Sequence, residues 1–228
     1  MPMKTTASIL LMLLMVSCTR SVNLGPADPQ ATPEARQLFE RLMTLQDKGV
    51  MYGHQDDLMY GFSWWYEKDR SDIKDLTGDY PAVAGFELGH LELGNERSLD
   101  SVSFAEIREQ IQVFHSRKGI ITLSWHLNNP LTDKSAWDVS SNQVVKSILP
   151  GGEQNAKFNT WLDRLAEYFL TLKDGDGVLI PFIFRPWHEH SGSFFWWGKN
   201  LCTEEEYAQL WQYTVKYLRE KGLQNILY

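Results

Sequence analysis

The chain has 228 residues, enough for one sizeable hydrophobic core or two small ones. Hydrophobic residues make up 43% and charged residues 22%, the balance of a soluble globular protein. A net charge of −7, with no long basic run, argues against a nucleic-acid partner.

The first segment is separate from the fold. Lys4 precedes an apolar run from Ala7 to Val16, too short to span a bilayer as a stable anchor. It closes on Met15-Val16-Ser17-Cys18, a pattern that resembles a bacterial lipoprotein signal, although that motif prefers Leu where Met15 stands. On this reading residues 1–17 are a signal peptide, and Cys18 is lipidated after cleavage before it. The protein then sits on the cell envelope, at the outer membrane or in the periplasm. An ordinary secretory signal with an incidental cysteine is the other reading, and both imply export. The chain has two cysteines. With Cys18 lipidated, Cys202 is alone, no disulfide forms within the chain, and Cys202 reads as a small buried residue. Residues 18–32 read as a tether.

From Pro33 the pattern becomes regular. Pro33 opens a helix with Leu38, Phe39, Leu42 and Leu45 on one face. Residues 49–54 read as a strand and 81–88 as a second. Phe104, Ile107, Ile111 and Phe114 mark a helix, and 119–125 a third strand. Phe158, Trp161, Leu162, Leu165 and Phe169 mark a longer helix, followed by a fourth strand at 178–184. Thr203-Glu204-Glu205-Glu206 is a capping-box start for a helix carrying Tyr207, Leu210, Trp211 and Leu218. Gly222 ends it, and 225–228 begins a fifth strand.

Alternation of helices with nearly continuous apolar strands predicts a parallel sheet covered on both faces. An open doubly wound sheet and a (β/α)8 TIM barrel compete. The first strand lacks a glycine-rich phosphate turn, whereas polar and aromatic clusters follow four successive strands: at 54–57, 87–92, 126–130 and 188–190. Functional groups at the C-terminal ends of successive strands mark a barrel's active face. About five of the eight strands are present, so residues 33–228 are expected to be the N-terminal part of a truncated barrel domain.

The stretch 185–198 carries the chemistry. Glu189 stands among His188, His190, Arg185 and several aromatic rings, directly after an apolar strand. Aromatic rings suit a sugar cleft because the C–H faces of a pyranose stack on them. Burial against Trp and Phe would raise the pKa of Glu189 and suit it as a general acid. Arg185 would lower it, so the balance stays open, and Arg185 or His188 could orient it. His126 and Asn128-Asn129-Pro130 follow the third strand. His126 alone reads as a core or capping histidine, and the asparagines suit sugar hydroxyls. His54-Gln55-Asp56-Asp57 sets carboxylates beside a histidine, but without paired His or Cys ligand spacing, so no metal and no cofactor is expected. The plainer reading of Asp56-Asp57 is charge at a helix N-terminus. Trp64, Trp65 and Trp137 read equally well as sugar platforms or as core.

Three motifs, Gly-His-Gln-Asp-Asp at 53–57, Ser-Trp-His-Leu-Asn-Asn-Pro at 124–130 and the long one at 185–198, resemble glycoside hydrolase family 26, whose best-known members are β-mannanases. The likeness covers roughly 36–228. It implies a (β/α)8 barrel with Glu189 as acid/base (proton donor). It implies that His126 and His188 line the subsite beside the scissile bond, with Arg185, Phe194, Trp197 and Trp137 as substrate-binding candidates. Family members often carry Trp five residues after the acid/base, where this chain has Phe194. The family's nucleophile is a Glu after the seventh strand, which is absent from this chain. The resemblance therefore implies a retaining endo-β-1,4-mannanase acting on mannan or galactomannan. The 228-residue piece by itself is expected to be inactive and poorly soluble, because a retaining pair needs two carboxylates and unclosed sheet edges aggregate. The rivals are another β-glycanase of the family, on mixed-linkage glucan or β-1,3-xylan, and a non-catalytic surface glycan-binding lipoprotein.

Overall fold

The computed structural model describes residues 25–228, so the expected signal segment and the lipidation site at Cys18 lie outside the described residues. Five parallel strands form the central sheet in the order β1 (Gly53–Gln55), β4 (Val83–Glu87), β5 (Ile120–Ser124), β6 (Phe182–Arg185) and β7 (Ile226–Leu227). A short antiparallel hairpin, β2 (Tyr60–Gly61) with β3 (Trp64–Trp65), follows β1. The helices are α1 (Pro33–Leu45), α2 (Asp72–Thr77), α3 (Phe104–Ser116), α4 (Val144–Ile148), α5 (Asn155–Phe169) and α6 (Glu204–Glu220). This is the layout of the first strands and helices of a (β/α)8 barrel, as the alternation predicts.

Period-two alternation assigns the two faces of the sheet. Ala84 and Phe86 of β4, Ile121 and Leu123 of β5, and Phe182 and Phe184 of β6 point outward into the main core. There they meet Ile107, Ile111 and Phe114 of α3, Phe158, Leu162, Leu165 and Phe169 of α5, and Leu210 and Leu218 of α6. Burying each such side chain contributes about 1.5–3 kcal/mol. The alternate residues Val83, Ile120, Ile183 and Leu227 point the other way and pack with Ala35 and Leu38 of α1. The first helix therefore plugs the N-terminal end of the sheet's inner face. Continuing the same alternation puts Glu87, Ser124 and Arg185 on that inner face at its C-terminal end.

The helix starts follow their local chemistry. Thr32 caps α1 ahead of Pro33, its hydroxyl accepting from the Ala35 amide. In α6 the Thr203 hydroxyl accepts from the Glu206 amide, and the Glu206 carboxylate accepts from the Thr203 amide. Two strands start later than the apolar runs suggest. Residues 178–180 bond back to Leu172 and Asp174 rather than to the sheet, so β6 begins at Phe182 instead of 178. Val50 and Tyr52 are exposed, and the first strand is Gly53–Gln55 rather than 49–54. Residues 25–32, expected as the end of a tether, instead pack on the fold. Asp28 is buried 3.7 Å from Arg219, Ala31 is buried, and the Thr32 amide donates to the Gln224 carbonyl.

Candidate active site

Three residues at strand C-termini stand in lateral register: Glu87 opposite Ser124, and Ser124 opposite Arg185. Two and three residues further on, the chain presents His126 and His188 at the same level. Together with Gln55, Asp100, Trp137 and Glu189 they line an open cavity of about 310 Å3. Residues at or just beyond the C-terminal ends of β1, β4, β5 and β6 thus converge on one groove. Asp56, His90 and Glu189 hold left-handed backbone, with φ of 52°, 77° and 55°, each after a different strand of the sheet. Such conformations are costly for non-glycine residues and cluster where structure serves a site.

The hub is Glu87, which is 2% exposed. Its Oε1 accepts from the amides of Gly89 and His126, both at 2.7 Å. Its Oε2 accepts from Ser124 Oγ at 2.6 Å and faces His126 Nδ1 at 2.8 Å. Burial pushes its pKa up, but the hydrogen bonds and charge of His126 and the bond from Ser124 outweigh that, so the carboxyl lies below its ordinary value. Gly89 is required here, because a Cβ would sit 2.9 Å from the His126 carbonyl. The Nε2 atoms of His126 and His188 lie 2.9 Å apart, and His188 Nδ1 is 3.0 Å from the Arg185 carbonyl. Burial, then the charges of His126 and Arg185, pull the pKa of His188 down.

The motif at 185–198 divides by role. Trp187, Trp196 and Trp197 are fully buried. Trp187 donates to Thr214, Trp196 to the Leu127 carbonyl and Trp197 to the His188 carbonyl. Trp197, expected to touch substrate, instead stands behind His188 and holds it. Phe194 is 44% exposed and packs edge-on against Phe195, outside the residues that line the groove. Arg185 is exposed in the groove. Glu189 is exposed as well, not buried against rings as the sequence suggests, because the rings around it turn inward to the core. Trp137 is 49% exposed and stacks on His126, with centroids 5.3 Å apart and planes at 6°. Of the Trp64-Trp65 pair, Trp64 is buried and donates to Asp72, whereas Trp65 is half-exposed and stacked on Tyr60. Cys202 is half-buried, its Sγ 3.6 Å from the Trp197 and Gly198 carbonyls.

The sequence marks the clusters at 54–57 and 87–92 but not that their acids lie buried beneath the groove. Asp56 and Asp57 are buried in the turn after β1 rather than charging a helix N-terminus. Neither carboxyl oxygen of Asp56 has a well-formed hydrogen bond, although its backbone amide donates to the Gly85 carbonyl at 2.8 Å. Burial, then the charges of Asp100 and Glu87, push its pKa up to about 8. His54 Nδ1 meets Asp57 Oδ1 at 2.9 Å. Glu92, fully buried, accepts from the Asn128 amide and the Trp125 indole, on either side of His126. The signal for Glu87 was available: it shares an inward face with Val83 and Gly85 at the end of an apolar strand. Glu92 falls in the cluster at 87–92, but nothing local marks it as buried.

A parallel sheet plugged at one end, with an acid, two imidazoles and an exposed indole around a groove at the other, has the active-face layout of a (β/α)8-barrel enzyme. The sequence profile of glycosyl hydrolase family 26 matches residues 27–228, and the chain belongs to that family. It is 37% identical over 213 residues to a mannan endo-1,4-β-mannosidase of Bifidobacterium adolescentis, covering 91% of this chain and 21% of that protein. A GH26 β-mannanase from Bacteroides ovatus superposes with a TM-score of 0.84 at 49% identity, over 86% of this chain and 57% of the other. An endo-β-1,4-mannanase from Cellulomonas fimi does so with a TM-score of 0.81 at 37% identity, over 90% and 47%. The chain spans about half the length of these two solved structures and less of the curated relative.

Proposed function

We propose that the full-length protein is a retaining endo-β-1,4-mannanase acting on mannan or galactomannan, with Glu189 as its acid/base. The observation that carries this reading is the place of Glu189: exposed in the groove at the end of β6, next to His188 and across from His126. The named activities of the relatives supply the substrate class.

In the first step Glu189 gives its proton to the glycosidic oxygen as the bond to the leaving sugar breaks. In the second it takes a proton from water as water attacks the glycosyl centre. The partner carboxylate of a retaining pair stands about 5–5.5 Å away and comes from the remainder of the barrel. Trp137 offers an exposed face for sugar stacking, while His126, His188 and Arg185 offer polar contacts. Export and lipid attachment through Cys18 complete the proposal and rest on residues 4–18 alone.

Glu189→Ala in the full-length protein tests the assignment. Hydrolysis of unactivated mannan should fall by at least about 100-fold, the scale of a lost general acid. Retention of most of the activity would remove Glu189 from the role. A panel of mannan, mixed-linkage glucan and β-1,3-xylan, read by reducing-sugar release, separates mannanase from the other β-glycanase activities.

A further inference from the structure

The hydrogen bonds around Glu87 and the two histidines allow a count of protons. Glu87 receives four bonds, two on each oxygen, from Gly89, Ser124 and His126. A carboxylate has about four acceptor sites, so all of them are filled and the group is ionised. His126 must then carry its proton on Nδ1. His188 Nδ1 faces the Arg185 carbonyl, which can only accept, so His188 carries its proton on Nδ1 too. A neutral imidazole has one N–H. Both rings have therefore placed it away from the point where their Nε2 atoms approach to 2.9 Å. Two bare lone pairs at that distance repel.

We infer that His126 and His188 share one additional proton between their Nε2 atoms, so that the pair is a monocation balancing the buried Glu87 anion. The parallel stack of the Trp137 indole on His126 is compatible with a cation there, since an aromatic face favours positive charge. The groups facing the pair are Glu87 from β4, Asp100 from the segment after it (with His90 beside Asp100), Arg185 at the end of β6 and Glu189 in the turn beyond it. Asp56 faces Glu87 and Asp100 from behind. Burial and the neighbouring positive charges oppose a second extra proton.

This deepens the reading of the groove as a sugar-cleaving site, and rests on it for the following consequence. A glycan hydroxyl both donates and accepts. The Nε2–H of one ring and the bare Nε2 of the other are spent on each other until a hydroxyl enters between them, accepting from the first and donating to the second. Two neutral rings with Nδ1–H present acceptors only. Glu87 is thus a positioning residue that acts through His126.

The test uses full-length protein labelled with 15N-histidine, read by long-range 1H–15N correlation without substrate at a pH where the enzyme works. Both Nδ1 atoms should be protonated, and the two Nε2 signals should account for one proton between them. In Glu87→Gln, which removes the counter-anion, the shared proton should be lost at lower pH. Followed in the same spectrum, that loss should come about one pH unit or more lower than in the unsubstituted protein. Two Nε2 atoms with the shift of bare nitrogen in the unsubstituted protein, or a loss that Glu87→Gln leaves at the same pH, would overturn the inference. Because the nitrogen spectrum needs no substrate, the proton count stands or falls separately from any failure to cleave mannan.

Discussion

The carboxylate of Glu92 accepts the indole N–H of Trp125 at 3.1 Å while its other oxygen accepts the Asn128 amide at 2.8 Å. These bonds straddle His126. Two buried glutamates therefore hold one short segment, Glu87 at Ser124 and His126 and Glu92 at Trp125 and Asn128, and that segment carries a histidine of the groove. Both partners of Glu92 are N–H donors and would be left without an acceptor if its side chain were removed. Glu92→Ala should lower unfolding free energy by about 1–3 kcal/mol in denaturant titration. A change within error would mean that the segment is held by packing alone.

Glu92 also has a pH signature. Burial, the largest influence, pushes its pKa from 4.5 up to about 7. Between those values the folded state binds a proton that the unfolded state has lost, so this group's contribution to stability falls as pH rises from 4.5 through 7. Thermal unfolding of the wild type should show that downward contribution, and Glu92→Gln should lack it.

Asp56 should behave similarly over a wider window. Its pKa moves from 3.8 up to about 8, chiefly through burial. Ionising it costs stability progressively as pH rises between those values. Asp56→Asn should raise Tm, and the gain should be larger at pH 8.5 than at pH 5. A gain that is constant or shrinks with pH would show that the carboxyl is not held neutral in the folded protein.

Trp137 stacks on His126 with half its surface open. Trp137→Ala should lower kcat/KM on mannan about five-fold, the equivalent of roughly 1 kcal/mol of aromatic contact. Denaturant unfolding should move little. A large stability loss with unchanged kinetics would reassign the ring to the core.

The capping box at Thr203 offers a control remote from the chemistry. Thr203→Ala should destabilise the protein by about 1 kcal/mol, through the lost acceptor for the Glu206 amide, with kcat/KM unchanged.

Much of this was legible along the chain. Helix faces repeat every three to four residues and strands every two, so Phe158, Leu162, Leu165 and Phe169, or Ile121 and Leu123, declare themselves core by spacing alone. The motif at 185–198 likewise marked the end of β6, because an acid beside imidazoles at the end of an apolar strand is a local pattern. What spacing does not contain is direction after a strand ends. The rings of Trp187, Trp196 and Trp197 look like a sugar platform in one dimension, yet in the fold they turn inward and leave Glu189 exposed. The His126–His188 contact joins residues 62 apart, and Glu87 reaches His126 across 39. Those pairings exist because parallel strands in register bring distant residues to one level, and only the strand order and register of the sheet decide which of them meet.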